Sequence, residues 1–378
     1  MFADRLTLHN FRNYETLSLD FENGTVIFTG DNGQGKTNIL ESIFYCAIGK
    51  SFRYGKDKEL IRYGQSGFSI GLSVKNDITE KIDITYSSSQ EKSVRVNGIY
   101  LRKLGHLIGS FLSVIFSPED MKVINDGPSE RRRMLDIAIS QYSPTHYFNL
   151  QQYLKILQQK NILLRSTQAS EKEKNKGILD VFNEQLSIYG AKIIENRIKY
   201  VNILESISSA KHAEISGGER LNLNYYSDCL TSFEPEKIPV ISQSEIQNVF
   251  FKELEAKTEK EIERGQSLTG PHRDDLIILL NSVPVRVYGS QGQKRTAALS
   301  LKLSELQILE KKTGRKPVLL LDDVFSELDD SRCEMLLKSS EDFQTVITCT
   351  SVADLPEKVK SSASVYMIKN GTAGRMSK

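Results

Sequence analysis

Long apolar runs are missing from this chain: none of its segments approaches the roughly 18 consecutive apolar residues that cross a bilayer. The opening MFADRLTLHNFRNYETLSLDF also lacks the basic-then-apolar order of a secretory signal and alternates like a strand, so a cytoplasmic protein is expected. Cysteine is scarce. Cys46, Cys229, Cys333 and Cys349 lie far apart without a CxxC pair, which speaks against a zinc site, a redox couple or a disulfide framework. An excess of one charge is absent too: 50 Lys and Arg face 48 Asp and Glu, a net charge of +2, so any surface for nucleic acid has to be local. No fixed-period repeat is present. With 378 residues the chain exceeds a single core, and two domains, or one with a large insertion, are expected.

What is there begins with alternation. Residues 6–8, 17–21 and 26–29 read as strands, followed at Gly30 by a glycine-rich turn and an apolar helical run over 39–48. Residues 68–74, 81–86 and 94–97 alternate again, and Asn97-Gly98 is a hairpin turn. At Ser117-Pro118-Glu119-Asp120 a cap, a proline and two acids start a helix, and helical spacing then runs to about residue 210, interrupted by the charge run EKEKNK at 171–176, read as a solvated loop or helix end. Residues 227–247 read as a linker with edge strands and 248–264 as helix. Strands are expected at 276–280, 318–321, 345–349 and 364–368, with a helix over 296–311. The division expected is 1–118, a mainly helical insertion over 119–265, and 266–378.

Residues 30–37, GDNGQGKT, satisfy G-x-x-x-x-G-K-[ST] at every fixed position. Gly30 and Gly35 allow the tight fold in which the N–H groups of Asp31, Asn32, Gly33 and Gln34 turn inward toward phosphate, and the following helix, through Asn38, adds its positive end. Lys36 brings a cation to the β- and γ-phosphates, and the Thr37 hydroxyl is placed for Mg²⁺. ATP and Mg²⁺ are the ligands this implies. Residues 317–323, PVLLLDD, form an apolar run ending in two acids, the pattern of a central parallel strand whose carboxyl end meets a ligand crevice. Asp322 is the expected partner of Thr37 in holding Mg²⁺, and Asp323 the group that orients the attacking water. Ser290-Gln291-Gly292-Gln293 precedes a helical stretch and also fits a capping box.

Ser290, Gly292 and Gln293 resemble the signature motif of the ABC-type ATPases. The whole chain resembles the RecF family of bacterial DNA repair proteins, on NFRNY at 10–14, GDNGQGKTNILE at 30–41, GKSFR at 49–53, FSPED at 116–120, GPSERRR at 127–133, LTGPHRDD at 268–275, SQGQ at 290–293 and LDDVFSELD at 321–329. The resemblance implies an α/β fold: an ABC-type ATPase head, with a mixed phosphate-loop sheet and a β-rich lobe, carrying an inserted helical arm. It further implies ATP sandwiched between residues 30–38 of one subunit and Ser290, Gly292 and Gln293 of another, with 326–329 as a dimer-contact loop. DNA with little sequence preference, RecR and the recombinase-loading machinery are the implied partners.

Three departures from the wider ABC pattern are visible. Asp323 stands where many of these enzymes carry glutamate, no glutamine follows Phe116, and no histidine follows the strand ending near Cys349, where Thr348 or Thr350 would have to serve. A slow switch with weak ATPase activity is therefore expected. Arg131-Arg132-Arg133 and KKTGRK at 311–316 are the dense basic runs that could meet DNA phosphates. The alternative from another class is the nucleotide-binding subunit of a transporter, which would share the loop, signature and acids.

Overall fold

The computed structural model describes residues 1–53, 55–76, 78–166, 172–230 and 241–376. It divides into two compact units, the first of Met1–Met121, Lys211–Gly218 and Gln291–Lys378, the second of Lys122–Ala210 and Glu219–Ser290.

The first unit is built on two sheets. One is antiparallel, in the order Tyr14–Asp20, Phe2–Phe11, Gly67–Lys75, Thr79–Ser87, Gln90–Val96, Ile99–Tyr100. Its alternation is that of a sheet with one face in the core: Leu6, Leu8, Ile70, Leu72, Ile82 and Ile84 are buried while Thr7, His9 and Thr85 are exposed. The expected hairpin at Asn97-Gly98 forms, with φ of 52° and 79° at its two central residues, as a type I′ turn needs. The other sheet runs Thr372–Arg375, Ser364–Lys369, Thr25–Thr29, Thr345–Cys349, Val318–Asp322, Ser113–Phe116 and is parallel except at its first strand. Val318–Asp322 and Thr345–Cys349 are buried at every residue, the continuous apolar pattern of strands covered on both faces. The register pairs Thr29 with Cys349, Asp322 with Thr348 and Phe116 with Leu321, so these strands end together and their following loops share one crevice.

The second unit carries the helices Pro128–Tyr142, Pro144–Ser166 and Gln243–Arg264, most of Lys172–Ser216, and a three-stranded sheet. The boundary expected at residue 265 lies instead after Ser290. Asp275–Leu280 pairs along its whole length with Leu221–Tyr226, which keeps residues 266–290 in the second unit. Of the expected linker, residues 231–240 lie outside the described residues, as does Glu171 of the charge run; residues 172–176 open the helix Lys172–Ser216.

Candidate nucleotide-binding site

The strand Thr25–Thr29 delivers the chain to Gly30, and the helix Lys36–Ile48 leaves from Gly35. Both glycines have positive φ, 139° and 110°. A side chain at Gly35 would also meet Asn13 at 2.5 Å and the Tyr14 hydroxyl at 2.8 Å. The loop is gripped from outside by those residues. Tyr14 donates its hydroxyl to the Gly35 carbonyl at 3.1 Å, Asn13 donates to the Gln34 carbonyl at 2.8 Å, and the Gln34 side chain accepts the Asn370 N–H at 2.7 Å.

Lys36 is buried and folds over the loop, its Nζ donating to the carbonyls of Gly30 at 2.5 Å and Asp31 at 2.9 Å. Both partners are neutral, so the positive charge is hydrogen-bonded without being cancelled. Such a cation at the first turn of a helix makes the loop a site for an anion. Asp31, Asn32 and Gly33 are exposed above it.

Thr37 donates its hydroxyl to Asp322 Oδ1 at 2.7 Å, across 285 residues of sequence. Thr348 donates to the same oxygen at 2.8 Å. Burial pushes the Asp322 carboxyl above the ordinary carboxylate range; the two hydroxyls and the Arg53 charge act the other way. Asp323 follows with φ of 52°, its N–H bonded to the Thr348 hydroxyl at 3.0 Å and carbonyl at 3.2 Å. Thr348 thus orients the acid pair, and Thr350 is exposed. At the position after Phe116, the Ser117 N–H and hydroxyl both turn to Asp120 Oδ2, at 2.8 and 3.2 Å, the helix cap expected there.

Sequence chemistry alone passed over the layer beneath. Arg12, with φ of 53°, forms a fork to Glu41 at 2.9 and 2.8 Å, and the fully buried Glu41 also takes the Ser51 hydroxyl at 2.5 Å. Arg53 stands 3.9 Å from Glu41 and donates to Asn38 Oδ1 at 3.2 Å, while Asn38 donates to Asn13 at 2.8 Å. The segments NFRNY and GKSFR therefore hold the phosphate loop, and the signal for them was polar and aromatic residues crowded into two short turns.

Ser290 closes the second unit, exposed, one residue before the helix Gln291–Thr313. Gly292, in that helix's first turn, is joined to the segment after Asp323: Arg332 donates to its carbonyl at 3.0 Å. Of the two basic runs, Arg131-Arg132-Arg133 has its first two side chains turned to acidic residues of the second unit. Arg131 forks onto Asp275 at 2.6 and 2.9 Å and is buried, and the half-buried Arg132 donates to the Asp274 carbonyl at 2.7 Å, so these two side chains are engaged within the second unit. In the other run Lys311 and Lys312 are exposed, whereas Arg315 donates to the Gly109 carbonyl at 2.5 Å.

A family model described as RecF/RecN/SMC N terminal domain matches residues 2–374. The DNA replication and repair protein RecF of Clostridium beijerinckii is 43% identical over 373 residues, 98% of each chain. That of Clostridium novyi is 42% identical over 377 residues, 99% of this chain and 100% of its own. The solved structure of the recombination mediator protein RecF with ATP in the RecFOR pathway is 39% identical with a TM-score of 0.91, covering 100% of this chain and 98% of that one. An Smc head domain from Pyrococcus furiosus, 16% identical with a TM-score of 0.54, shares the fold alone. These relatives do not favour the transporter alternative, and among the described residues no helix is long and apolar enough to cross a membrane.

Proposed function

The chain belongs to the RecF/RecN/SMC family and, within it, to the RecF proteins, and from that premise we propose that it is an ATP-operated clamp of recombinational DNA repair, closing as a dimer on DNA at single-strand gaps or junctions. The observation that carries this reading is the Thr37–Asp322 hydrogen bond of 2.7 Å, which joins the phosphate loop to the acid at the end of a buried parallel strand.

ATP is held by Gly30, Asp31, Asn32, Gly33, Gln34, Gly35, Lys36, Thr37 and Asn38. The N–H groups of the loop and the helix end take the phosphate oxygens, and the Lys36 ammonium exchanges its two carbonyl partners for them. The donor set fits Mg²⁺: a hydroxyl and a carboxylate, both hard oxygen ligands, meet at Thr37 and Asp322, and Mg²⁺ sites of this kind use one or two protein oxygens beside the phosphates. When bound, the ion neutralises charge on the β- and γ-phosphate oxygens. Asp323 orients the attacking water, from a backbone position pinned by Thr348 and with a side chain one carbon shorter than glutamate. Hydrolysis is correspondingly slow, and the protein works as a switch.

Ser290, Gly292 and Gln293 serve the ATP of a second copy. An exposed serine ahead of a 23-residue helix offers a hydroxyl and a positive helix end to a γ-phosphate arriving from outside. DNA is bound through its backbone, with little sequence preference and strong salt dependence. RecR and recombinase loading in the cytoplasm follow from kinship with proteins of the RecFOR pathway.

Sedimentation velocity tests the clamp. The wild type should shift from monomer to dimer with ATP and Mg²⁺, Lys36→Met should stay monomeric because it retains no nucleotide, and Ser290→Arg should bind ATP yet stay monomeric. A wild type that remains monomeric in ATP, or dimers formed equally by all three, would overturn the reading. For DNA, filter retention of gapped duplex should fall steeply as salt rises from about 50 to 200 mM; no retention at low salt contradicts it.

A further inference from the structure

We propose that Arg332 is a positioning residue of the composite site, tying the first turn of the helix Gln291–Thr313 to the loop at 326–329 so that both are presented as one face to the nucleotide-bearing surface of a second copy. The guanidinium sits at the start of the helix Asp330–Ser340 with its side chain only 19% exposed. Its Nε donates to Thr296 Oγ1 at 2.8 Å, its Nη2 to the Gly292 carbonyl at 3.0 Å, and its Nη1 pairs with the Asp329 carboxylate.

The partners are themselves interlocked. Thr296 donates its hydroxyl to the Gly292 carbonyl at 2.9 Å, and Asp329 caps the helix of Arg332 by accepting the Arg332 N–H at 3.0 Å. Arg295 and Glu327, 3.9 Å apart, add a second tie between the same segments. A planar fork with donors in fixed directions can satisfy a hydroxyl, a carbonyl and a carboxylate together; a lysine ammonium reaches one or two of them. Packing alone would be served as well by an apolar side chain. What an arginine adds is a fixed distance between Gly292 and Asp329, and those two segments are the ones the clamp reading turns toward the partner. The inference rests on that reading.

Two quantities separate positioning from folding. ATP affinity is measured in a Ser290→Arg background, which holds the protein monomeric, with and without Arg332→Met. The ATP concentration giving half-maximal dimer is measured by sedimentation for the wild type, Arg332→Met, Arg332→Lys, Thr296→Val and the Arg332→Met/Thr296→Val pair. Monomer affinity should stay within about twofold, whereas the dimerisation midpoint rises about tenfold or more for Arg332→Met and less for Arg332→Lys and Thr296→Val, as expected for a lost charge-assisted hydrogen bond. Thr296→Val should add nothing on top of Arg332→Met, because both open the same tie. Wild-type midpoints in the Arg332 variants overturn the proposal and leave the clamp intact. An equal loss of monomer affinity, or loss of cooperative melting in both Arg332 variants, overturns it by making Arg332 a folding residue. A wild type that never dimerises sinks the clamp and this proposal with it.

Discussion

Tyr14 carries its ring into the core and ends its hydroxyl on the carbonyl of Gly35, and burial pushes that phenol above its ordinary range. The contact has one donor and one acceptor, so its removal is clean. Tyr14→Phe should cost about 1 kcal/mol of stability and weaken ATP binding only a few-fold, measured by thermal melting and by titration with a fluorescent ATP analogue. Gly35→Ala is a different perturbation at the same spot: the new methyl meets Asn13 and Tyr14 within 2.8 Å while the backbone stays at φ of 110°. It should abolish nucleotide retention, since the loop must open to admit it. Among the described residues, Arg12→Ala leaves the fully buried Glu41 with Ser51 and the more distant Arg53, and a destabilisation of about 3 kcal/mol is expected for a buried carboxylate losing its fork. A melt unchanged by Arg12→Ala would deny the fork any weight in stability.

Elements whose residues agree with their neighbours in sequence were the legible ones. The all-apolar run before Asp322 reads as a buried strand, and the register that brings Thr37 to Asp322 follows from strands ending together. The helix Gln243–Arg264 begins five residues before the apolar spacing suggests, because Ser242 and Glu245 form a reciprocal cap: Ser242 Oγ accepts the Glu245 N–H at 3.3 Å and Glu245 accepts the Ser242 N–H at 2.9 Å. That serine-x-x-glutamate pattern was in the sequence and outranks periodicity at a helix start. Ser242→Ala should lower stability by about 1 kcal/mol, and Ser244→Ala, two residues on and touching only the Ser242 hydroxyl, should lower it less; equal melts for the two would deny the cap any weight. Composition misleads where direction decides. The run Ser216-Gly217-Gly218 offers a serine and glycines much like residues 290–292, yet it ends the helix Lys172–Ser216, with the Gly218 N–H closing onto the Ala213 carbonyl at 3.0 Å. A helix end presents carbonyls and negative charge, so it repels the phosphate that a helix start attracts.

At the scale of the whole molecule, the segment LTGPHRDD shows what sequence could not divide. In the sequence it only carried the family resemblance; in the structure it lies at the polar centre of the second unit. Tyr225 and Ser227 donate to Asp274, Arg197 pairs with Asp136 and donates to the Pro271 carbonyl at 2.6 Å, and Tyr153 bonds His272 at 2.7 Å. These pairings join residues 47 to 119 positions apart, and no local pattern encodes them. They also set a pH signature. Burial raises the Asp274 carboxyl to about 7 and lowers the His272 imidazole to about 4. A raised acid binds its proton more tightly when folded, so its contribution falls as pH climbs from about 4 to 7. A depressed imidazole binds its proton less tightly when folded, so its contribution rises between about 4 and 6.5. The two oppose each other, and the wild type should be nearly flat over that window. Asp274→Asn should expose a stability that rises with pH there, and His272→Gln one that falls, each by about 3–4 kcal/mol. Below pH 4 the fork on Asp136, whose carboxyl is held down at about 2, adds a loss common to all three. Chemical denaturation of each protein at half-unit steps from pH 3 to 8 reads the slopes, and parallel curves for the wild type and Asp274→Asn would show that Asp274 stays ionised and that Arg197 outweighs its burial.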